Sequence, residues 1–225
     1  MITGALPRDT TRRLIDAASA LFAERGYHAT TMRDIAARAR VNLASGHYHY
    51  GSKRALYLEV LRLQFAETRA LLVRRGASKP LEALPHLSPA ELTDLLQARV
   101  QAMLDLLIGP PPGLHGTLMQ REMTDPSEAL PVIVDEFISP MLHEMESIVS
   151  HLAPTLDKHA VPRVVRSIMG QVLFYRLTRP ALLHLLRRAE YARGTTRELA
   201  AHITQFSLGG LERLTASPRR RRHAS

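Results

Sequence analysis

Between Asn42 and Lys53 the chain sets out a dense group of short hydrogen-bonding side chains: Asn42, Ser45, His47, Tyr48, His49 and Lys53, with small Ala44 among them. Amide, hydroxyl and imidazole groups on short stems can approach base edges in the DNA major groove, where each base pair shows a distinct donor and acceptor pattern. Thr31, Tyr48 and Lys53 flank the group and suit phosphate contacts, which set register without reading sequence. His47 and His49 could also be metal ligands. Their i, i+2 spacing turns them to different helix faces, so DNA-facing or capping roles fit better. His115, His143, His151, His159, His184 and His202 are scattered through the rest of the chain and read as surface or pocket groups ahead of a metal site. Cysteine is absent, which removes disulfides, thiolate metal sites and cysteine nucleophiles. No glycine-rich phosphate loop is present, and no Ser–His–Asp arrangement follows from spacing. No catalytic residue, metal or cofactor is therefore assigned.

Helices must hold these groups, because almost every segment has helical periodicity and none alternates with period two. Asp9, Thr10 and Thr11 offer caps for a first helix with the apolar stripe Leu14, Ala18, Leu21 and Phe22. Gly26 stops it, since glycine tolerates the left-handed conformation past a helix end. Thr31 and Asp34 form a variant of the capping box, and Met32, Ile35, Ala36 and Ala39 mark one buried face of a second helix. The turn Arg40-Val41 leads to a short third helix over Asn42 to Tyr48, and Gly51-Ser52 caps a long helix from Lys53 to Arg75. Two short helices joined by a tight turn against a longer first helix make a helix-turn-helix. Residues 76–87 read as a polar linker. Ser88-Pro89-Ala90-Glu91 starts a helix reaching Ile108, and further helices are expected at 114–124, 127–152, 161–178, 180–189 and 195–215. Pro140 should kink or divide the 127–152 helix. The fold class is thus all-α, with a head over 8–55, a helical body over 56–216 and a basic disordered tail over 217–225.

Charge is distributed unevenly along the 225 residues. Residues 1–75 hold 13 Lys/Arg against 6 Asp/Glu, residues 76–218 hold 13 against 15, and Arg219–Arg222 add four more cations. A basic head on a nearly neutral body suits a polyanion as partner of the head alone. No apolar run approaches the roughly 18 residues of a membrane span, and no secretory signal is visible, so a cytoplasmic location with no membrane partner is expected.

The stretch "LFAERGYHATTMRDIAARARVNLASGHYHYGSKRALY" resembles the head of the TetR family of bacterial repressors, through Phe22, Gly26, "TTMRDIA" at 30–36, Val41, "YHY" at 48–50 and "SK" at 52–53. "REMTDPSEAL" at 121–130, "FISPM" at 137–141 and "GQVLFYRLTRPA" at 170–181 resemble the CecR-type branch of that family. The resemblance implies an all-α homodimer on a pseudo-palindromic double-stranded DNA operator, released by a small-molecule effector. Carried over by position, it implies phosphate contacts from Thr31, Tyr48, His49 and Lys53, and base contacts from Asn42, Leu43, Ala44, Ser45 and His47. Arg40 stands where the family usually has a turn glycine. If the backbone there is left-handed, arginine costs about 1 kcal/mol more than glycine, and its charge can offset that by reaching a phosphate. Gly46 stands where a buried aliphatic residue is usual.

In the body, the few inward polar groups expected among many Leu, Met and Ile residues are Gln120, Arg121, His143, Gln171, Tyr175 and Arg176. Such a lining suits an apolar or amphipathic ligand held by few directional contacts. Gln171 and Tyr175 share a helix face, and a pocket or a dimer interface accounts for them equally well. Glu144 with Glu146, and Asp135 with Glu136, read as helix-surface charge. The dimer face is expected around Leu199, Ile203, Phe206 and Leu211, with Val172 and Leu173. A metal sensor with the same head, or a general nucleoid-type binder, would be told apart by metal-dependent release and by competition binding.

Overall fold

The computed structural model describes residues 7–44, 50–109 and 114–216. Every element is helical, and no strand occurs among the described residues. In chain order they are α1 (Pro7–Arg25), α2 (Met32–Ala39), α3 (Lys53–Arg74), a 3-10 turn (Leu81–His86), α4 (Pro89–Ile108), α5 (Leu114–Thr124), α6 (Leu130–Ile133), a π-helical segment (Val134–Ile138), α7 (Ser139–Leu152), α8 (Val161–Leu177), α9 (Arg179–Leu185) and α10 (Thr195–Ala216). They form two compact units. One comprises the chain to Thr68 together with Pro112–Ile138; the other comprises Arg69–Pro111 and the chain from Ser139.

The first unit is built on the stripe read from α1. Leu14, Ala18, Leu21 and Phe22 are buried with Ile35, Ala39, Leu56, Tyr57, Leu118 and Ile133. Each buried aliphatic side chain of this kind contributes roughly 1.5–3 kcal/mol. Tyr57 meets the edge of Phe22 with ring centroids 4.8 Å apart. A 112–138 segment distant in sequence thus completes the core around the helix-turn-helix.

The second unit packs α4 against α10, α7 and α8. The capping box is present at Ser88 and Glu91, with Pro89 in the first turn. Leu92, Leu96, Val100 and Leu104 recur at i, i+4, i+8 and i+12 and are buried against Ile148, Val165, Val172 and Ile203. The polar linker expected over 76–87 instead contains the 3-10 turn, which drives Leu84 into this core. α10 runs unbroken through Gly209-Gly210, because Ile203, Ser207 and Leu211 share one buried face.

One expectation holds and two need correction. The 127–152 helix is divided near Pro140 as expected: α6 gives way to the π-helical segment, which ends two residues before Pro140. A π-turn absorbs the hydrogen bond that proline cannot donate and the clash of its ring with the preceding turn. Val172, Ile203 and Leu211 are core residues of their own chain, whereas Leu173 and Phe206 are exposed. Glu144 is not plain surface charge, since its carboxylate accepts from the Arg99 guanidinium at 2.5 Å and the Arg99 side chain is only 3% exposed. Likewise Glu136 forms a two-pronged pair with Arg62 at 2.8 and 2.9 Å.

Candidate nucleic-acid interface

The frame of the head is fixed by its helix ends. The last carbonyls of a helix have no partner inside it, and at the end of α1 those of Phe22, Ala23 and Glu24 are answered. Gly26, left-handed at φ 83°, donates its N–H to Phe22 at 2.9 Å. Thr30 donates its hydroxyl to the Gly26 carbonyl at 2.7 Å. Arg121 of α5 donates to the carbonyls of Ala23 at 2.9 Å and Glu24 at 2.7 Å. Arg38 of α2 grips the Glu24 carboxylate with both guanidinium nitrogens, at 2.7 and 2.8 Å, which ties α2 to α1. That bond holds the Glu24 carboxyl below its usual range.

At the start of α2, Thr31 and Asp34 form the full capping box, each accepting from the other's backbone N–H at 3.1 Å. The Thr31 hydroxyl also donates to the Asp34 carboxylate at 2.6 Å. These bonds hold the Asp34 carboxyl below the ordinary aspartate range. Thr31 remains exposed at the N-terminal turn of α2. At the other end, Arg40 adopts φ 54° and ψ 47°. Its N–H bonds to Ala37 and the Val41 N–H to Ala36, which is a Schellman stop made without glycine. Arg13 of α1 donates to the Ala39 and Arg40 carbonyls and supports this turn. The Arg40 side chain is exposed.

Beyond the turn, Asn42 accepts from the Ala44 N–H at 3.0 Å, so its side chain caps the turn that begins at Leu43. Asn42, Leu43 and Ala44 are all exposed. Ser45, His47, Tyr48 and His49, with Gly46, lie outside the described residues, as does the arginine tail. Lys53 opens α3 with its ammonium 2.9 Å from the Tyr27 carbonyl and 4.1 Å above the Tyr27 ring. An ammonium has three donors, so the carbonyl holds the charge in place and uses one of them.

Sequence reasoning missed the support beneath this surface. Glu122 of α5 is buried and accepts from the Tyr57 hydroxyl and from both the N–H and the hydroxyl of Ser127, each at 2.9 Å. Burial and the neighbouring Glu122 carboxylate push the Tyr57 hydroxyl far above the usual tyrosine range, so it stays a donor. The Tyr27 hydroxyl donates to Glu128 at 2.6 Å, and His28 bonds to the Pro126 carbonyl at 3.2 Å. All these partners fall in "REMTDPSEAL", the body motif noted in the sequence. In the sequence that motif carries the branch resemblance and supplies Arg121 as a pocket candidate, and its pairing with the head is not legible there.

The six expected ligand-lining residues are divided between the two units. Gln120 and Arg121 belong to the first unit, and Arg121 is committed to the end of α1. His143, Gln171, Tyr175 and Arg176 belong to the second. There His143 is exposed, the Gln171 amide returns to the Ser167 carbonyl at 3.4 Å, and Tyr175 and Arg176 are half-buried. A shallow cleft in this unit, bordered by Ala77, Lys79, Leu84, Leu95, Arg99 and Glu144, includes none of them. Among the described residues no cluster of His, Asp and Glu could hold a metal, and no helix is long and apolar enough to cross a membrane.

Two stretches of the chain match known families, the second of them spanning parts of both units. The family model described as bacterial regulatory proteins, tetR family, matches residues 14–60. The model for the C-terminal domain of the HTH-type transcriptional dual regulator CecR matches residues 92–211. CecR of Shigella flexneri is 28% identical over 176 residues, which cover 76% of this chain and 78% of that protein. The HTH-type transcriptional activator FasR of Mycolicibacterium smegmatis is 50% identical over 58 residues, covering 25% of this chain and 26% of FasR. The repressor KstR2 of the same organism is 33% identical over 104 residues, covering 45% and 51%. Among solved structures, the fatty acid degradation regulator FadR from Bacillus halodurans has the same fold with a TM-score of 0.62 at 16% identity, over 90% of this chain and 96% of that one.

Proposed function

The chain belongs to the TetR family of bacterial regulatory proteins and carries a C-terminal domain of the CecR type, and from that membership we propose a ligand-responsive repressor that binds a pseudo-palindromic operator as a homodimer. At the coarser level it is a DNA-binding transcriptional regulator and not an enzyme. The reading rests most on the head: α2, capped at both ends and tied to α1, is followed by Arg40, Asn42, Leu43 and Ala44 on one exposed turn, flanked by Thr31 and by a Lys53 ammonium held in place. A reading helix needs such a frame, because base contacts carry information only if phosphate contacts fix its register.

Dimerisation supplies what one short helix lacks, since a single half-site spans too few base pairs to be found in a genome. The faces proposed for a second copy are the exposed side of α8 at Phe174 and Leu177 and of α10 at Phe206 and Leu214. The effector is an unidentified apolar or amphipathic small molecule. It acts only through a higher affinity for the state that cannot bind DNA.

Selection of bound duplexes from a random pool by the full-length protein tests this. The expected product is two related half-sites in inverted orientation. On that site Lys53→Ala should weaken binding to all sequences and lower the salt slope by about one phosphate contact, while Asn42→Ala should change base preference. Recovery of no preferred sequence would sink the specific-operator reading. A Lys53→Ala protein altered only in base preference would reverse the assigned roles.

A further inference from the structure

Among the described residues of the second unit, one inward-turned arginine is answered by an acid and two are not. Arg99 has a buried Nε without a hydrogen-bond partner, but its charge is met by Glu144 and its other nitrogens by Glu144 and the Ala77 carbonyl. Arg176 and Arg179 are both half-buried, make no ion pair among the described residues, and each has a buried Nε without a hydrogen-bond partner.

Their direction follows from helix geometry. At about 100° per residue, Val172, Tyr175 and Arg176 share one arc of α8, while Leu173, Phe174 and Leu177 occupy the opposite arc. The first arc is buried or half-buried and the second is exposed. Thr178 closes the helix by donating its hydroxyl to the Phe174 carbonyl at 2.6 Å, and Arg179 begins α9. Tyr191 returns to this point and donates its hydroxyl to the Tyr175 carbonyl at 3.2 Å. Both tyrosines pack against the core of the unit.

We propose that Arg176 and Arg179, framed by Tyr175 and Tyr191, form a binding site for an oxyanion, the carboxylate or phosphate group of a small molecule. Two guanidiniums in partly dry surroundings repel each other and lose hydration, and both costs fall when an oxyanion bridges them. Burial, and next to it the charge of Arg179, lowers the Arg176 pKa from its ordinary value. The guanidinium fork matches carboxylate and phosphate oxygens with paired hydrogen bonds. The inward arc favours a small molecule over a side chain of a second copy, which would meet the outward arc of Phe174 and Leu177. Anion binding at this pair stands whether or not operator affinity responds to it.

Calorimetric titration of the full-length protein with inorganic phosphate and, separately, with hexanoate at constant ionic strength tests the site. Saturable binding of at least one is expected, accompanied by a rise in Tm, and the preferred probe identifies the headgroup class. Arg176→Gln and Arg179→Gln should each weaken binding at least tenfold while leaving the anion-free Tm unchanged or raised, because the repulsion is gone. Arg179→Lys keeps the charge but loses the fork. It should bind several-fold more weakly and provides the comparison if a Gln variant fails to fold. Arg188→Gln, at an exposed arginine, should bind as the unaltered protein does. Absence of saturable binding of both anions, or binding that survives substitution of both arginines, would overturn the site.

Discussion

Arg40 carries a backbone conformation that suits glycine, at φ 54°. Placing an L side chain there costs about 1 kcal/mol. Arg40→Gly should therefore raise the unfolding free energy by about that amount while weakening operator binding, since an exposed cation beside the reading turn is lost. Urea denaturation and DNA titration read the two effects separately, and a less stable glycine variant would show that the arginine stem stabilises the turn. Glu144 poses the opposite case. It is the acid facing a nearly fully buried Arg99. Removing one partner of a buried pair leaves an uncompensated charge and typically costs about 3–5 kcal/mol. Glu144→Ala should lose stability on that scale in urea denaturation, and a loss below about 1 kcal/mol would mean that water already screens the pair.

At the scale of elements, the head is held by parts of the chain about a hundred residues away. Arg121 satisfies two carbonyls at the end of α1, and Glu122 collects three donors from Tyr57 and Ser127. A buried donor left without its acceptor costs roughly 1–3 kcal/mol. Glu122→Leu should then reduce stability by several kcal/mol and slow hydrogen exchange less in α1 and α3 than the parent does; equal protection in these helices would exclude the role. Acid should act on the same frame. The Glu24, Asp34 and Glu136 carboxyls are all held below their ordinary values by hydrogen bonds. A depressed carboxyl stabilises the fold above its unfolded pKa, and that contribution is lost as pH falls through the lower folded value. Stability of the first unit should thus decline below about pH 4, and Asp34→Asn should reduce the steepness of that decline in a pH series of melting curves.

At the scale of the whole molecule, the proposed dimer makes residues on one helix behave differently. Ile203 is buried in its own chain, and Phe206, three residues on, is exposed. Phe206→Arg should yield a folded monomer with sharply reduced operator affinity, whereas Ile203→Arg should unfold the second unit. Sedimentation with circular dichroism distinguishes them, and a Phe206→Arg protein that still sediments as a dimer would place the interface elsewhere.

The sequence by itself determined what depends on near neighbours. Helical periodicity, the Thr31–Asp34 and Ser88–Glu91 boxes, the stop at Gly26 and the suspicion of a left-handed Arg40 all rest on interactions within a few residues. The family resemblance rested on the same local patterns. Tertiary structure alone decided which apolar residues face inward. α10 has apolar groups at Ile203, Phe206 and Leu211, and periodicity cannot say which of them the chain buries itself. It also decided the partners of polar side chains. Glu144 and Arg121 read as surface charge and as pocket lining until the fold brought Arg99 and the end of α1 to them. A charged side chain is placed by whatever completes its hydrogen bonds, and residues 45 or 98 positions away leave no trace in the local pattern.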